Sequence, residues 1–247
     1  MTFIHDLIPL QVGPLPRRLA AWIFVRAALA VTSVVITVSQ QSREHLLNTF
    51  HLSPEKVVVV DYPTDSDRAD RIMTTRARYG QDARVLFVGR FASHKNLERL
   101  CVAWQTTDAI AEGAQLELIG GNPAHIRRLS KFIEHHRLRS IRLMGPCTEE
   151  EFDFALATSR ALVMPSLVEG YGLPAYEAAA TGLPVAVAPT GALVHLPESA
   201  AVQFNPRDLR SISRGIDTAF HRRPHAGFRI GRGGLYRGFI DALARAC

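Results

Sequence analysis

Short apolar segments recur between residues 84 and 204, and helical patterns separate most of them. The helical patterns lie at about residues 95–108, 123–136 and 148–159. Thr148 and Glu151 form a capping box at the start of the last one. Short strands that alternate with helices of this length predict right-handed β–α–β units and a parallel sheet. The predicted strands are residues 84–89, 115–120, 140–144, 161–164 and 185–187, with a weaker candidate at 201–204.

A smaller set of elements precedes this region. We expect the end of a buried strand at residues 3–6, strands at 34–38 and 57–60, and a helix at 41–50 with Ser39 as its cap. The apolar stretch 19–38 contains Arg26, whose insertion in a membrane costs about 2.5–3.5 kcal/mol, so a buried helix (16–31) and a strand are predicted there.

The fold class follows from these patterns. We predict an α/β protein in which residues 83–247 form a Rossmann-like parallel sheet with helices on both faces. The polar, Arg- and Asp-rich residues 63–82 form a linker, helical around 67–79.

A glycine-containing loop joins the predicted strand 161–164 to a helix that begins near Leu173, with Pro174 in its first turn. Gly170 and Gly172 lie in this loop, so free backbone N–H groups and the positive end of a helix dipole meet at the carboxyl edge of the sheet. Phosphate groups bind at such places.

Two acids flank this loop eight residues apart, Glu169 and Glu177. Carboxylates repel phosphate but accept hydrogen bonds from sugar and ribose hydroxyls. The unit therefore indicates a ligand that holds both phosphate and polyol; the alternative is a helix start with solvated glutamates.

Two cations follow the predicted strand 84–89. Arg90 leaves its carboxyl end, and Lys95 lies at the start of the next predicted helix. Ligands of open α/β sheets bind at this edge, where two cations could hold a diphosphate and neutralise it as a sugar departs. A solvated loop with two surface cations is the alternative. At Gly120–Gly121 we expect a close backbone approach or a simple turn.

The order acid, Gly-aromatic-Gly-Leu-Pro, second acid resembles the signature of the retaining GT-B glycosyltransferases of family 4. The resemblance implies that Glu169 contacts the transferred sugar, that Glu177 binds the ribose, and that Arg90 and Lys95 hold the diphosphate without a metal or other cofactor. It further implies that backbone groups of four residues line the sugar and diphosphate: Gly170, Tyr171, Gly172 and Leu173. Residues 83–247 would then be the nucleotide-sugar-binding, carboxyl-terminal GT-B domain. Residues 1–62 would be part of the amino-terminal, acceptor-side domain, a second Rossmann-like domain.

The segment from His5 to Pro9 resembles the family's His-Asp segment, which faces the donor sugar. The resemblance implies that His5 orients the sugar or contacts the developing oxocarbenium centre; an ordinary surface histidine is the alternative. The expected activity is transfer of a hexose, with retention, from GDP-mannose or a UDP-sugar to a glycan or lipid-linked acceptor in polysaccharide or cell-envelope synthesis.

Family members have two complete domains, whereas only about sixty residues precede the linker here. A full domain of this type needs about 100–150 residues. We therefore predict truncation at the amino-terminal domain, with an exposed apolar surface that favours self-association or a partner chain. A non-catalytic or split nucleotide-sugar-binding subunit is the main alternative, and a related phosphorylase or epimerase is a third.

The charge and the cysteine content indicate which classes of ligand and which compartment to expect. The net charge is +6, from 29 basic residues of which three are lysines, with no long basic run and no interleaved aromatics. Nucleic acid is thus not expected, and phosphate ligands or a membrane surface fit the charge.

The three unpaired cysteines indicate a reducing compartment and no zinc site, so we expect a cytoplasmic protein or one peripheral at the inner face of the membrane. Dinucleotide and Walker-type loops are absent, and the basic, glycine-rich residues 221–247 show no clear core face.

Overall fold

The computed structural model describes residues 1–60 and 65–227, which form two parallel sheets with helices packed against them. The small sheet has the order β1-β2-β3: β1 Thr2–Phe3, β2 Val35–Thr37 and β3 Val57–Val59. The large sheet contains β4 Arg84–Gly89, β5 Gln115–Gly120, β6 Ile141–Gly145, β7 Ala161–Met164, β8 Val185–Val187 and β9 Ala201–Gln203.

The helices of the described residues connect these strands. They are α1 Ile8–Gln11, α2 Leu15–Ala30, α3 Gln40–Phe50, α4 Ser66–Tyr79, α5 Leu97–Trp104, α6 Pro123–His135, α7 Glu149–Thr158, α8 Leu173–Ala180 and α9 Leu209–His221. Short 3₁₀ turns occupy Pro54–Lys56, Ser93–Lys95, Asp108–Glu112 and Gly191–His195.

The strand order of the large sheet creates one crevice. The order is β6-β5-β4-β7-β8-β9, so the chain builds outward from β4 to β6, returns to the middle, and builds outward again from β7 to β9. Connections that diverge in this way leave an opening at the carboxyl ends of β4 and β7. The loops at that opening are residues 90–96 and 165–172.

Alternation along the central strand separates two cores. Val85 and Phe87 of β4 pack with α5, α6 and α9, where Trp104 is fully buried. Leu86 points to the other face and packs with α7 and α8. Both faces of the sheet are thus covered by helices, as parallel sheets require, and the predicted α/β class with a Rossmann-like parallel sheet is confirmed.

Local signals located most element ends within one or two residues. Ser39 accepts a hydrogen bond from Ser42 N at 3.1 Å, which confirms the predicted cap of α3. The capping box of α7 is also present: Thr148 N donates to Glu151 Oε2 at 2.8 Å, and Glu151 N donates to Thr148 Oγ1 at 3.2 Å.

Two element predictions are wrong in detail. The helix predicted at 95–108 is a 3₁₀ turn followed by α5, because Asn96 adopts φ 61° and separates them. Lys95 therefore ends the 3₁₀ turn and does not begin an α-helix. The first strand is residues 2–3 instead of 3–6, and Phe3 is 48% exposed, so this end of the small sheet is not buried.

The helix α2 is not buried as predicted. Among its residues only Leu29 is buried, whereas Leu19, Ile23 and Phe24 are exposed by 57%, 56% and 75%. Its apolar composition predicted a core helix, but the described chain offers no second layer for this face. No helix in the described part of the chain has the length and hydropathy of a membrane span.

The helix α4 belongs to the segment predicted as a linker, and it packs on α7 and α8. Arg76 reaches both helices, because its guanidinium donates to Leu156 O at 3.0 Å, to Ala157 O at 3.2 Å and to Thr181 O. Residues 61–64, where the predicted linker begins, and the tail 228–247 lie outside the described residues.

Candidate functional site

The side chain of Asn96 helps to join the loop after β4 to the loop after β7. Asn96 Nδ2 donates to Pro165 O at 3.1 Å and to Pro206 O at 2.7 Å. Asn tolerates the left-handed conformation found here better than most residues. Asn96 thereby holds the cation-bearing loop 90–95 against the acid-bearing loop.

Lys95 and Glu169 meet at the β4–β7 crevice. Lys95 Nζ donates to Glu169 Oε1, and Ser166 Oγ donates to the same oxygen at 2.9 Å. The Glu169 side chain is only 6% exposed. A buried carboxylate is costly unless its charge is compensated, and here a cation and a hydroxyl compensate it. The family resemblance implies separate roles for the two residues, whereas the structure brings them into direct contact.

The glycine loop leaves no room for side chains. A Cβ on Gly170 would lie 2.7 Å from Asp6 Oδ2, and one on Gly172, at φ 83°, would lie 2.5 Å from Leu193 Cδ2. The amino-terminal segment therefore approaches the loop at Gly170, from which the chain continues directly into the start of α8. The predicted close approach at Gly120 is also confirmed, since a Cβ there would lie 2.2 Å from Gly89 O.

A small polar cavity lies between the amino-terminal segment and the glycine loop. We call it the inter-sheet cavity; its volume is about 100 Å³, and its polar lining includes Asp6, Gln11, Gln41, His45, Glu169 and Thr190. Gln41 Oε1 also accepts a hydrogen bond from Gly191 N, and Asp6 Oδ1 accepts one from Ile8 N at 2.9 Å. These bonds fix two of the lining side chains.

His5 does not line this cavity. Its side chain is exposed, and its ring lies 4.6 Å from that of Phe3, centroid to centroid. Asp6, the next residue, faces Glu169 and the glycine loop instead. The structure thus brings Asp6 to the glycine loop, and the role expected for His5 stays a prediction.

A larger cavity opens at the carboxyl ends of β4, β5 and β6. We call it the strand-edge cavity; it measures about 450 Å³ and is lined by Val88, Gly89, Arg90, Ile119, Gly120, Gly121, Asn122, His125, Pro146 and Cys147. Three glycines bring the backbone to its surface. Arg90 thus lies beside this cavity, whereas Lys95 lies beside Glu169.

Glu177, on α8, is paired with a residue that the sequence did not single out. Arg68 Nη1 of α4 donates to Glu177 Oε1 at 2.6 Å. Burial raises the pKa of Glu177, and the charge and hydrogen bond of Arg68 oppose that rise. The two residues are 109 positions apart, so no local pattern could have revealed the contact.

His94 is a second residue that sequence reasoning missed. Its Nδ1 is buried and has no hydrogen-bond partner among the residues that the structure describes. Burial lowers the pKa of His94, and Lys95 and Arg90 lower it further, while Glu169 and Asp6 act in the opposite direction. The side chain is therefore neutral at pH 7 and carries no charge into this cluster.

The remaining predicted site residues frame the start of α8. The rings of Tyr171 and Tyr176 stack at 4.5 Å, and Tyr176 Oη donates to Ala192 O at 2.7 Å. Leu173 is 37% exposed. Within residues 1–60 and 65–227, no group of three or more His, Cys, Asp or Glu side chains could hold a metal ion.

Comparisons with known proteins identify relatives of this chain. A family model described as "Glycosyl transferases group 1" matches residues 69–226. The O-antigen chain mannosyltransferase B of Escherichia coli is 25% identical over 197 residues, which cover 76% of this chain and 52% of that protein. The chain thus spans about half the length of this curated relative.

Solved structures show the same fold. The sucrose-phosphate synthase of Thermosynechococcus elongatus matches with TM-score 0.71 and 24% identity, over 98% of this chain and 65% of that one. Anabaena Alr3699/HepE, solved in complex with UDP and glucose, matches with TM-score 0.73 and 17% identity over the same shares.

Proposed function

The chain belongs to the group 1 glycosyl transferases, and from this premise we propose that it transfers a hexose from a nucleoside-diphosphate sugar to a glycan or lipid-linked acceptor, with retention. The observation that carries the proposal is the Lys95–Glu169 pair at the β4–β7 crevice, whose two loops also contain Arg90 and lead into α8. A cation, a carboxylate and a helix start at one sheet edge suit a ligand that is phosphate at one end and polyol at the other.

Each part of the donor has a candidate location. The diphosphate would lie between Arg90, Lys95 and the backbone N–H groups at residues 170–173. The base would occupy the strand-edge cavity, whose volume of about 450 Å³ lies within the range of about 300–1,000 Å³ usual for ligand sites. The ribose would then reach Glu177, and the sugar would lie at Glu169 and Asp6.

The chemistry needs no protein nucleophile in this proposal. As the bond between the anomeric carbon and the diphosphate oxygen breaks, Arg90 and Lys95 offset the growing negative charge on the leaving group. The acceptor hydroxyl attacks the face from which the diphosphate departs, and the departing diphosphate takes its proton. Glu169 holds the sugar, and neither a metal nor another cofactor takes part.

The donor is GDP-mannose or a UDP-sugar in this proposal. The relation to a mannosyltransferase supports the first, and the likeness to a protein solved with UDP supports the second. We also propose that residues 1–62 form an acceptor-side part, residues 63–82 a linker and residues 83–247 a donor-side domain. The reaction would belong to polysaccharide or cell-envelope synthesis at the cytoplasmic side of the membrane.

The test is release of nucleoside diphosphate from a panel of GDP- and UDP-sugars, with and without glycan acceptors. We expect release by the wild-type chain and loss of release in Arg90→Ala and Glu169→Gln. Arg214→Ala, which replaces an exposed arginine of α9, is the matched control and should behave as wild type. Equal release by wild type and Arg90→Ala would contradict the proposal.

A second candidate is a donor-binding subunit that acts only with a partner chain. The exposed apolar residues of α2 favour it, because such a surface is usual at protein–protein contacts. Donor binding without release by the isolated chain, and release once a second chain is added, would select this candidate.

A further inference from the structure

The guanidinium of Arg68 is surrounded by three carboxylates. Its Nη1 donates to Glu177 Oε1 at 2.6 Å, and its Nη2 and Nε lie 2.6 Å and 2.8 Å from Asp153 Oδ1. Glu149 Oε1 lies 3.4 Å from Nε, and the Arg68 side chain is only 13% exposed. Several charge-assisted bonds to one planar group fix its orientation.

The support of Arg68 does not depend on Glu177. The ring of Phe152 lies 5.6 Å from the guanidinium carbon, and Asp153 on α7 takes the other edge of the group. Helix α4 itself packs on α7 and α8. Arg68 is therefore the fixed partner, and the carboxylate of Glu177 is the group whose direction it sets.

Glu177 keeps a surface that a ligand can reach. Arg68 takes one of its oxygens, Oε1, and the side chain remains 35% exposed. Without Arg68, the carboxylate would face two like charges, Asp153 and Glu149, both of which raise its pKa. The cation thus favours the ionised form, which is the form that accepts two hydroxyl hydrogen bonds.

We propose that Arg68 is a positioning residue of the donor site: it holds the Glu177 carboxylate in the orientation that accepts the ribose hydroxyls of a nucleoside diphosphate. This inference rests on the proposed function, in which Glu177 binds the ribose. It assigns a binding role to the segment at residues 63–82, which the sequence marked only as a linker. Arg68 itself need not touch the donor.

The experiment compares the affinity for a ribonucleoside diphosphate with that for its 2′-deoxy analogue, measured by calorimetry. UDP and 2′-deoxy-UDP, or GDP and 2′-deoxy-GDP, serve as probes, according to which base binds. The ratio of the two affinities reports the hydroxyl contact, and a general loss of stability does not change it. Losing one hydrogen bond to a charged group corresponds to about tenfold in affinity.

We expect the wild-type chain to prefer the ribonucleotide by about tenfold, and Glu177→Gln to lose most of that preference. Arg68→Met should lose it to a similar extent, and the double variant should lose no more than either. Arg68→Lys keeps the charge but not the fork of donors, so it should keep only part of the preference. Arg71→Met removes an exposed arginine of the same helix and should leave the ratio unchanged.

An unchanged ratio in Arg68→Met, or in Arg68→Lys if the methionine variant does not fold, would overturn the inference. Equal weakening of both nucleotides would also overturn it, because that pattern indicates a structural role alone. A wild-type chain that binds neither nucleotide would contradict the proposed function instead, so the two failures are distinguishable.

Discussion

At the residue scale, the site consists of charges whose partners are far apart in the sequence. Glu169, Arg90 and Glu177 could be singled out as candidates because each lies at a fixed place in a strand–loop–helix pattern. The contact between Lys95 and Glu169 spans 74 positions, and Asp6 approaches Gly170 from the other sheet. Such contacts depend on the order of the strands in space. A short stretch of sequence contains no information about that order.

Replacing Glu169 with Gln should remove transfer and cost stability. Lys95 would keep a buried position without its counter-charge, so we expect a loss of about 1–3 kcal/mol in the free energy of unfolding. Transfer should fall by about a hundredfold or more. Urea denaturation and a transfer assay measure the two effects.

The control for this change is Glu98→Gln. Glu98 forms an exposed pair with Arg128 at 2.9 Å, which contributes at most about 1 kcal/mol. A Glu169→Gln variant as stable as Glu98→Gln would show that the Lys95–Glu169 pair is not formed.

His94 should make stability depend on pH. Its pKa in the folded chain is below the ordinary 6.5, so the unfolded chain binds a proton that the folded chain does not. The contribution of His94 to the free energy of unfolding is therefore complete above pH 6.5, and it is lost as the pH falls toward the lowered pKa. We expect His94→Gln to lose less stability than wild type between about pH 7.5 and about pH 5.5.

Denaturant titrations across that range measure this difference. His221 serves as a comparison, because its exposed pairing with Glu112 raises the pKa of His221 and gives the opposite pH dependence. Parallel pH profiles for wild type and His94→Gln would contradict the expected protonation of His94.

At the element scale, periodicity and caps located strands and helices but not their layers. The capping box of α7 and the Ser39 cap of α3 were readable because they depend on residues three positions apart. The exposure of α2 could not be predicted, because an apolar helix has the same sequence pattern whether or not another layer of the protein covers it. The break at Asn96 was missed because its cause lies in Pro165 and Pro206, far along the chain.

Helix α4 should be essential for the stability of the large-sheet half. Arg76 donates to carbonyls at or just beyond the carboxyl ends of α7 and α8, and burial lowers its pKa to about 10. Arg76→Met would leave several of these carbonyls unpaired, so we expect a loss of about 2–4 kcal/mol.

Thermal and urea denaturation test this expectation against Arg78→Met, an exposed arginine of the same helix. The control should change stability by no more than about 0.5 kcal/mol. Equal stability of the two variants would mean that α4 does not tie the helices together.

At the scale of the whole molecule, two parallel sheets meet at a polar contact, and one helix of the small-sheet part exposes apolar residues. The fold class and the large sheet followed from the sequence because alternating strands and helices allow few topologies. The contacts between the two sheets could not be predicted from the sequence. They join residues of segments that are far apart in the chain and share no common sequence pattern.

The exposed face of α2 should cause self-association. Leu19, Ile23 and Phe24 lie on this helix with exposures of 57%, 56% and 75%, and burial of such side chains is favourable by about 1.5–3 kcal/mol each. Sedimentation velocity should show association that grows with concentration and weakens in Ile23→Gln/Phe24→Gln.

Val194→Gln is the matched control, because Val194 is an exposed apolar residue outside α2. It should associate as wild type does. A monodisperse wild-type monomer that binds no hydrophobic dye would contradict the expected role of this face.

The β4–β7 crevice should bind a nucleoside diphosphate. The most direct measurement is calorimetric titration of wild type, Arg90→Ala/Lys95→Ala and Glu177→Ala with UDP and GDP. We expect wild type to bind one of them and both variants to lose most of that affinity. No binding by a folded wild-type chain, or full affinity in the Arg90→Ala/Lys95→Ala variant, would contradict it.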